Sequence, residues 1–280
     1  MNSLTIQAGE GVIGSILANN DAVPAILTIG GALGINAGPA LSGTTAVISN
    51  VNLQGLFKVQ TVSISGSTKS LISAVTINSA SKCFYAATDK VTVSADPDTA
   101  DIGAVTIRAT TILNGVVVTA NGAIGSVTVS GEAQPCAALI VTGNVDVLAN
   151  SKTIGSVALT DTERINGSLS VRSVTGDISA FVLSGRVGSE VHIEQSFTLA
   201  TTIGSVGTIP SASIGPLGKV GGTFLLDSQV GGIGDVQLFG GSGGVRFENT
   251  ATIVVNGTTT RLAFASIRSP FRSFRRIVLT

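Results

Sequence analysis

Short runs of alternating β-branched and polar residues recur along the chain, most of them closed by Gly, Ser or Asn. Leu4-Thr5-Ile6, Val62-Ser63-Ile64, Val75-Thr76-Ile77, Val91-Thr92-Val93 and Val105-Thr106-Ile107 open the series. Residues 116–118, 127–129, 139–141, 157–159, 169–171, 181–183, 191–193, 224–226, 236–238, 245–247 and 253–255 continue it. Alternation at period two sends one set of side chains to each face of a strand. Val, Ile and Thr fit such a pleated, half-buried surface. Between 62 and 255 the runs return about every 10–16 residues, with few larger gaps, and no segment before Arg261 carries a 3.6-residue apolar stripe. The pattern predicts an all-β chain.

A second element stands just before many of these runs: an aliphatic residue, a glycine and a small residue. It reads IGSI at 13–16, IGGA at 29–32, IGAV at 102–105 and IGSV at 124–127, 154–157 and 203–206. VGSE at 187–190, IGPL at 214–217 and IGDV at 233–236 are further copies, at irregular spacing. A buried aliphatic followed by a glycine able to take positive φ predicts a corner between two strands. Short strands with a repeated corner point to a β-solenoid, a parallel β-helix in which each coil buries its apolar face on the next. A β-sandwich or jelly roll is the alternative. It fits less well because its wide inter-sheet gap is usually filled by larger side chains, and only 4% of residues are aromatic. Three strands per coil predict seven or eight coils and a rod of roughly 35–40 Å at ~4.8 Å per rung.

Composition narrows the class further. Charged residues are 11% and hydrophobic ones 44%, which excludes a disordered chain, and the shortage of Glu, Lys and Leu excludes a helical bundle. The formal net charge of zero hides an uneven distribution. Residues 261–280 hold five arginines and no acid, so residues 1–260 carry 11 bases against 16 acids. Two parts are expected: a glycine-rich all-β body, 1–260, and an Arg/Phe-rich tail, 261–280. Ser269 and Pro270 make an N-cap and first-turn pair. Phe271, Phe274 and Val278 share one face of the helix that pair predicts, with Arg272, Arg275 and Arg276 around the rest. Such a helix either caps the open end of the body or docks on a partner. The docking residues are then Arg261, Phe264, Arg268, Phe271, Arg272, Phe274, Arg275 and Arg276. A nucleic-acid or anionic-lipid contact through the tail is the lesser option, because the body itself is mildly acidic.

Cys83 and Cys136 are 53 residues apart, with no CxxC and no neighbouring histidine, so they are expected as buried apolar side chains, a disulfide being the alternative. The N-terminal segment lacks a basic region followed by an apolar run, so no Sec signal is expected. Residues 22–41 are uncharged and long enough to cross a bilayer, yet Pro24, Pro39 and four glycines favour two buried strands joined by glycines.

Little in the chain suggests a reaction. His192 is the only histidine and lies between Val191 and Ile193, as a surface strand residue would. No GxSxG elbow accompanies it. Asp96, Asp98 and Asp101 form the densest carboxylate group, but without the glycine and distal glutamate of a calcium loop they are expected to be a solvated turn. Asp161, Glu163 and Arg164 are expected to form a surface connection. GGSGG at 240–244 lacks the Lys-Ser/Thr of a phosphate loop. Asn166 and Asn256 head N-glycosylation sequons that matter only in a secretory pathway.

Residues 165–195 resemble bactofilins, through Gly-Asp-Ile-Ser-Ala at 176–180 and an aliphatic spacing of five to six residues. That resemblance implies a polymerising β-helical cytoskeletal protein. The leading expectation is a non-enzymatic, self-assembling building block of a virion, fibre or surface assembly, located in a virion or outside the cell without a Sec signal. The alternatives are a carbohydrate-binding or depolymerising β-helix and a bactofilin-like cytoplasmic filament. No cofactor, metal or small-molecule substrate is expected. The partners expected are further copies of the chain and other structural proteins.

Overall fold

The computed structural model describes residues 3–9, 13–20, 27–38, 47–55, 57–66, 71–78, 87–95, 100–131, 139–160, 162–176, 178–183, 186–187, 190–195, 209–214, 219–220, 223–238, 246–247, 252–259 and 277–279. These residues are all-β, and every strand pairing among them is parallel. That excludes for them the antiparallel sandwich and jelly roll. The strands stack in three ladders, and the chain visits them in turn, giving a solenoid-like fold.

The first ladder begins with β1 (Leu4–Ala8) and continues in the second parts of β3 (Leu27–Ala37), β5 (Phe57–Gly66) and β7 (Ala87–Ala95). Next come β10 (Val116–Ala120), β13 (Val145–Ala149), β16 (Leu169–Ser173) and β19 (Glu190–Gln195). The first part of β22 (Thr223–Leu238), then β24 (Thr252–Thr259) and β25 (Ile277–Leu279), complete it. The second ladder holds β2 (Ile13–Asn20), β4 (Val47–Gly55), β6 (Leu71–Asn78), β8 (Ile102–Arg108) and β11 (Ile124–Ser130). It goes on through β14 (Ile154–Thr160), β17 (Ile178–Leu183), β20 (Ile209–Ile214) and the second part of β22. The third, shorter ladder is made by the first parts of β3, β5 and β7 with β9 (Thr111–Ile112) and β12 (Leu139–Val141). The strands β15 (Thr162–Ile165), β18 (Arg186–Val187), β21 (Lys219–Val220) and β23 (Arg246–Phe247) extend it.

Register follows side-chain type. In the first ladder Leu33, Val62, Val91, Val116, Val145 and Leu169 lie one above another, and Ile35, Ile64, Val93, Val118, Val147 and Val171 form the adjacent column. All of these side chains are buried, as are their second-ladder counterparts Ile48, Ile72, Ile102, Ile124 and Ile154. The core is thus a set of aliphatic columns, each residue packing on its own kind in the coils before and after it. A one-residue slip would turn every one of these side chains to the outside, so the alternation itself fixes the register.

Two expectations need correction. The first ladder contains eleven described strands, so there are more coils than seven or eight. Coils run from 22 residues, Leu169 to Val191, to 33, Val191 to Phe224. They can be short because corners are tight: Ala109 and Thr110 alone join β8 to β9. At ~4.8 Å per rung the ladder measures about 48 Å from first strand to last. The second correction concerns the Ile-Gly-small element, which is not one kind of corner. Copies at 13, 102, 124, 154 and 233 lie inside second-ladder strands, where Gly103, Gly125 and Gly155 have no positive φ. Residues 27–37 bear out two strand segments joined by glycines: the run shifts register between Ile29 and Ala32, at Gly30 and Gly31, where it passes from the third ladder to the first. No described helix is long and apolar enough to cross a membrane.

Candidate assembly surfaces and polar sites

Arg261, Phe264, Arg268, Phe271, Arg272, Phe274, Arg275 and Arg276 lie outside the described residues. The segment just after them corrects the helix expectation at Val278 alone: Ile277–Leu279 is a strand, and Val278 pairs with Val254 of β24. Val278 therefore extends the first ladder and does not share a helical face with the phenylalanines. Three consecutive β-branched or aliphatic residues next to an aliphatic edge gain more from ladder pairing than from a short helix.

Of the three carboxylates grouped in the sequence, the structure describes Asp101. Asp96 and Asp98 lie outside the described residues. Asp101 opens the β8 coil, where Oδ1 accepts a hydrogen bond from the backbone N–H of Ala123 on the next rung at 2.7 Å. Lys152, one rung further on, reaches the same carboxylate at 3.1 Å to Oδ1 and 3.2 Å to Oδ2. Asp101 thus ties three coils together from the connection between β7 and β8, with its side chain still 37% exposed. Glu163 and Arg164 are corrected. They sit in β15, a rung of the third ladder between β12 and β18, and the Ile165 that ends it is fully buried. Asp161 is outside the described residues.

His192 occupies the middle of β19, in register with Ser170 and Leu225. Asn166 is exposed in a turn, and Asn256 lies in β24 opposite Asp227. Cys83, Cys136 and residues 240–244 lie outside the described residues. Among the described residues no three His, Cys, Asp or Glu side chains come together as a metal site.

The corners are built from stacked polar contacts. Asn150 Nδ2 donates to Asn121 Oδ1 at 2.6 Å across one coil, and the Ser151 hydroxyl donates to the Asn121 carbonyl. At the opposite corner Thr142 donates to the Leu113 carbonyl, and Asn144 Oδ1 accepts from Ser168 N–H at 3.0 Å. Where Ser173 replaces the alanine of the inner column it is fully buried, donating to the Lys152 carbonyl at 3.0 Å and accepting from Gly176 N–H at 3.1 Å. Many outward positions between corners are small, among them Ser63, Thr92, Thr76, Thr106, Thr128 and Ser156, while Val117, Leu148 and Arg172 are larger. Asp146 is a charged member of these outward columns, between Val117 and Ser170. Burial pushes its carboxyl above the ordinary range, and Lys90 pulls it partly back.

No family model, curated protein or solved structure matches the chain, the bactofilin-like stretch included. Sequence reasoning missed the outer edge of the first rung, at Thr5 and Gln7. The signal for it was the absence of any charge or proline in the first two strands.

Proposed function

We propose that the chain is a non-enzymatic structural protein, a self-assembling building block of the kind that makes up a virion, fibre or surface assembly. The observation that carries this reading is the in-register stacking of aliphatic columns from β1 to β25. Chain length goes into a rod whose every coil repeats the same contact. Its outward flanks of Thr and Ser carry little charge to keep copies apart. Asp101, one of the carboxylates that could have suggested chemistry, serves the stack by bonding to Ala123 and Lys152. The arginine-rich stretch before β25 acts as a docking element toward a neighbouring copy.

The test is light scattering with negative-stain imaging of the full chain over a range of concentrations. A companion variant carries Arg→Gln at 268, 272, 275 and 276, which keeps β25 in place. Regular oligomers or filaments are expected for the wild type, with weaker association in the variant. A monodisperse monomer at all concentrations overturns the reading.

A further inference from the structure

In a parallel ladder the amide groups of a strand alternate, one residue serving the preceding rung and the next residue the following one. The hydrogen bonds show which is which. The N–H groups of inward Val91 and Val116 donate to the carbonyls of Gly115 and Asn144 on the following rung. The carbonyls of inward Ala95, Ala120 and Ala149 accept from Asn121, Asn150 and Val174 there. Ala8 obeys the same rule, its carbonyl accepting from Gly38 at 2.7 Å. Inward residues therefore serve the following rung and outward residues the preceding one. Among the described residues no rung precedes β1, so the N–H and C=O groups of Thr5 and Gln7 lie on an edge that no described strand pairs with.

That edge is apolar and undefended. Leu4, Ile6 and Ala8 are only partly buried, whereas Leu33, Ile35 and Ala37 one rung on are 2%, 0% and 3% exposed. Leu17 in β2 is 66% exposed. Neither β1 nor β2 contains a lysine, a proline or any charge, the devices that normally prevent an edge from pairing.

The other end of the ladder has the complementary arrangement. Ile277 and Leu279 hold the register positions of inward residues, opposite Ile253 and Val255. By the same alternation their amide groups face away from β24. Charge is complementary as well. The first 57 residues contain Glu10 and Asp21 and no base, and residues 261–280 contain five arginines and no acid. A head-to-head contact would set the acids against each other and reverse the strand direction.

Resting on the self-assembly reading, we infer that copies of this chain stack head to tail. The open edge of β1 receives the C-terminal rung of a second copy, with Ile277 over Leu4 and Leu279 over Ile6. The ladder then runs on in parallel register from one copy into the next.

Proline at Thr5 and Gln7 removes two edge N–H groups and leaves the bonds between β1 and β3 intact. The full chain carrying Thr5→Pro and Gln7→Pro is expected to stay monomeric at concentrations where the wild type assembles, with an unchanged circular dichroism spectrum. This variant keeps its C-terminal rung, so when labelled and mixed with wild type it is expected to cap one end of the assemblies and shorten them. Wild-type assembly by the double variant, or no incorporation on mixing, overturns head-to-tail stacking while self-assembly stands. A wild-type monomer overturns both. Should the proline variant lose its fold, Glu10→Lys with Asp21→Lys reads the charge component instead. About tenfold weaker association at low salt is expected, and unchanged association overturns the inference.

Discussion

Gly103, Gly125 and Gly155 occupy the same slot in successive rungs. A Cβ on each would lie 2.2 Å from the carbonyl oxygen of the residue below, Ser73, Gly103 and Gly125 respectively. Contacts that short force the rungs apart, so Gly125→Ala is expected to cost about 1–3 kcal/mol. Gly14→Ala, with nothing within 4 Å, is expected to be close to neutral. Urea unfolding midpoints of the two variants check this, and equal midpoints would contradict it. Gly115 is the described glycine with positive φ, +95°, and it turns the chain into β10. Glycine was visible in the sequence as punctuation, but its two physical uses were not separable there. Turning the chain and letting two backbones touch both demand the missing Cβ. Asp146 supplies a second prediction at this scale. Its folded pKa is raised chiefly by burial, so the charged form at neutral pH lowers stability; that penalty fades as pH falls through the raised folded pKa and is gone below the ordinary carboxylate value. Asp146→Asn is expected to raise the urea midpoint at neutral pH and to make no difference at a pH where Asp146 is protonated in both states.

At the scale of elements the period-two alternation was legible wherever a strand kept two aliphatics around a polar residue, as in Val91-Thr92-Val93 and Val105-Thr106-Ile107, which lie in β7 and β8. It missed β9, β15, β18 and β21, because a third-ladder strand of two to four residues is too short for a period to show. The runs also left out β2, β4, β13 and β20, although Val51-Asn52-Leu53 and Val145-Asp146-Val147 keep the alternation. The Ser269–Pro270 signal predicted a helix reaching Val278, but local capping cannot report that an aliphatic edge waits beside Ile277. The partners of Asp101 were equally invisible, since Ala123 and Lys152 reach it only after coils of 22 residues and more have closed. Removing that acceptor leaves the Ala123 N–H without it. Asp101→Ala is expected to cost about 1 kcal/mol, measured by thermal or urea unfolding. Lys152→Met is expected to change little, because the ion pair is half exposed on both sides.

For the whole molecule, a parallel stack has no natural end. Each coil satisfies the one before it and presents the same unsatisfied edge to the next, so capping or further stacking decides whether the chain stays single. The sequence showed the stacking through its repeated aliphatic columns and showed the uneven charge through its arginines. It could not show that Thr5 and Gln7 present the open amides, because only the hydrogen-bond alternation reveals it. The most direct measurement is the diffraction or image power spectrum of the assembled protein. The eleven described rungs of a copy, continued without a break across the boundary, predict a layer line at ~4.8 Å along the axis and an axial repeat of about 53 Å. Assemblies lacking the ~4.8 Å line along their axis, or repeating at about twice that length as head-to-head pairs would, contradict the account.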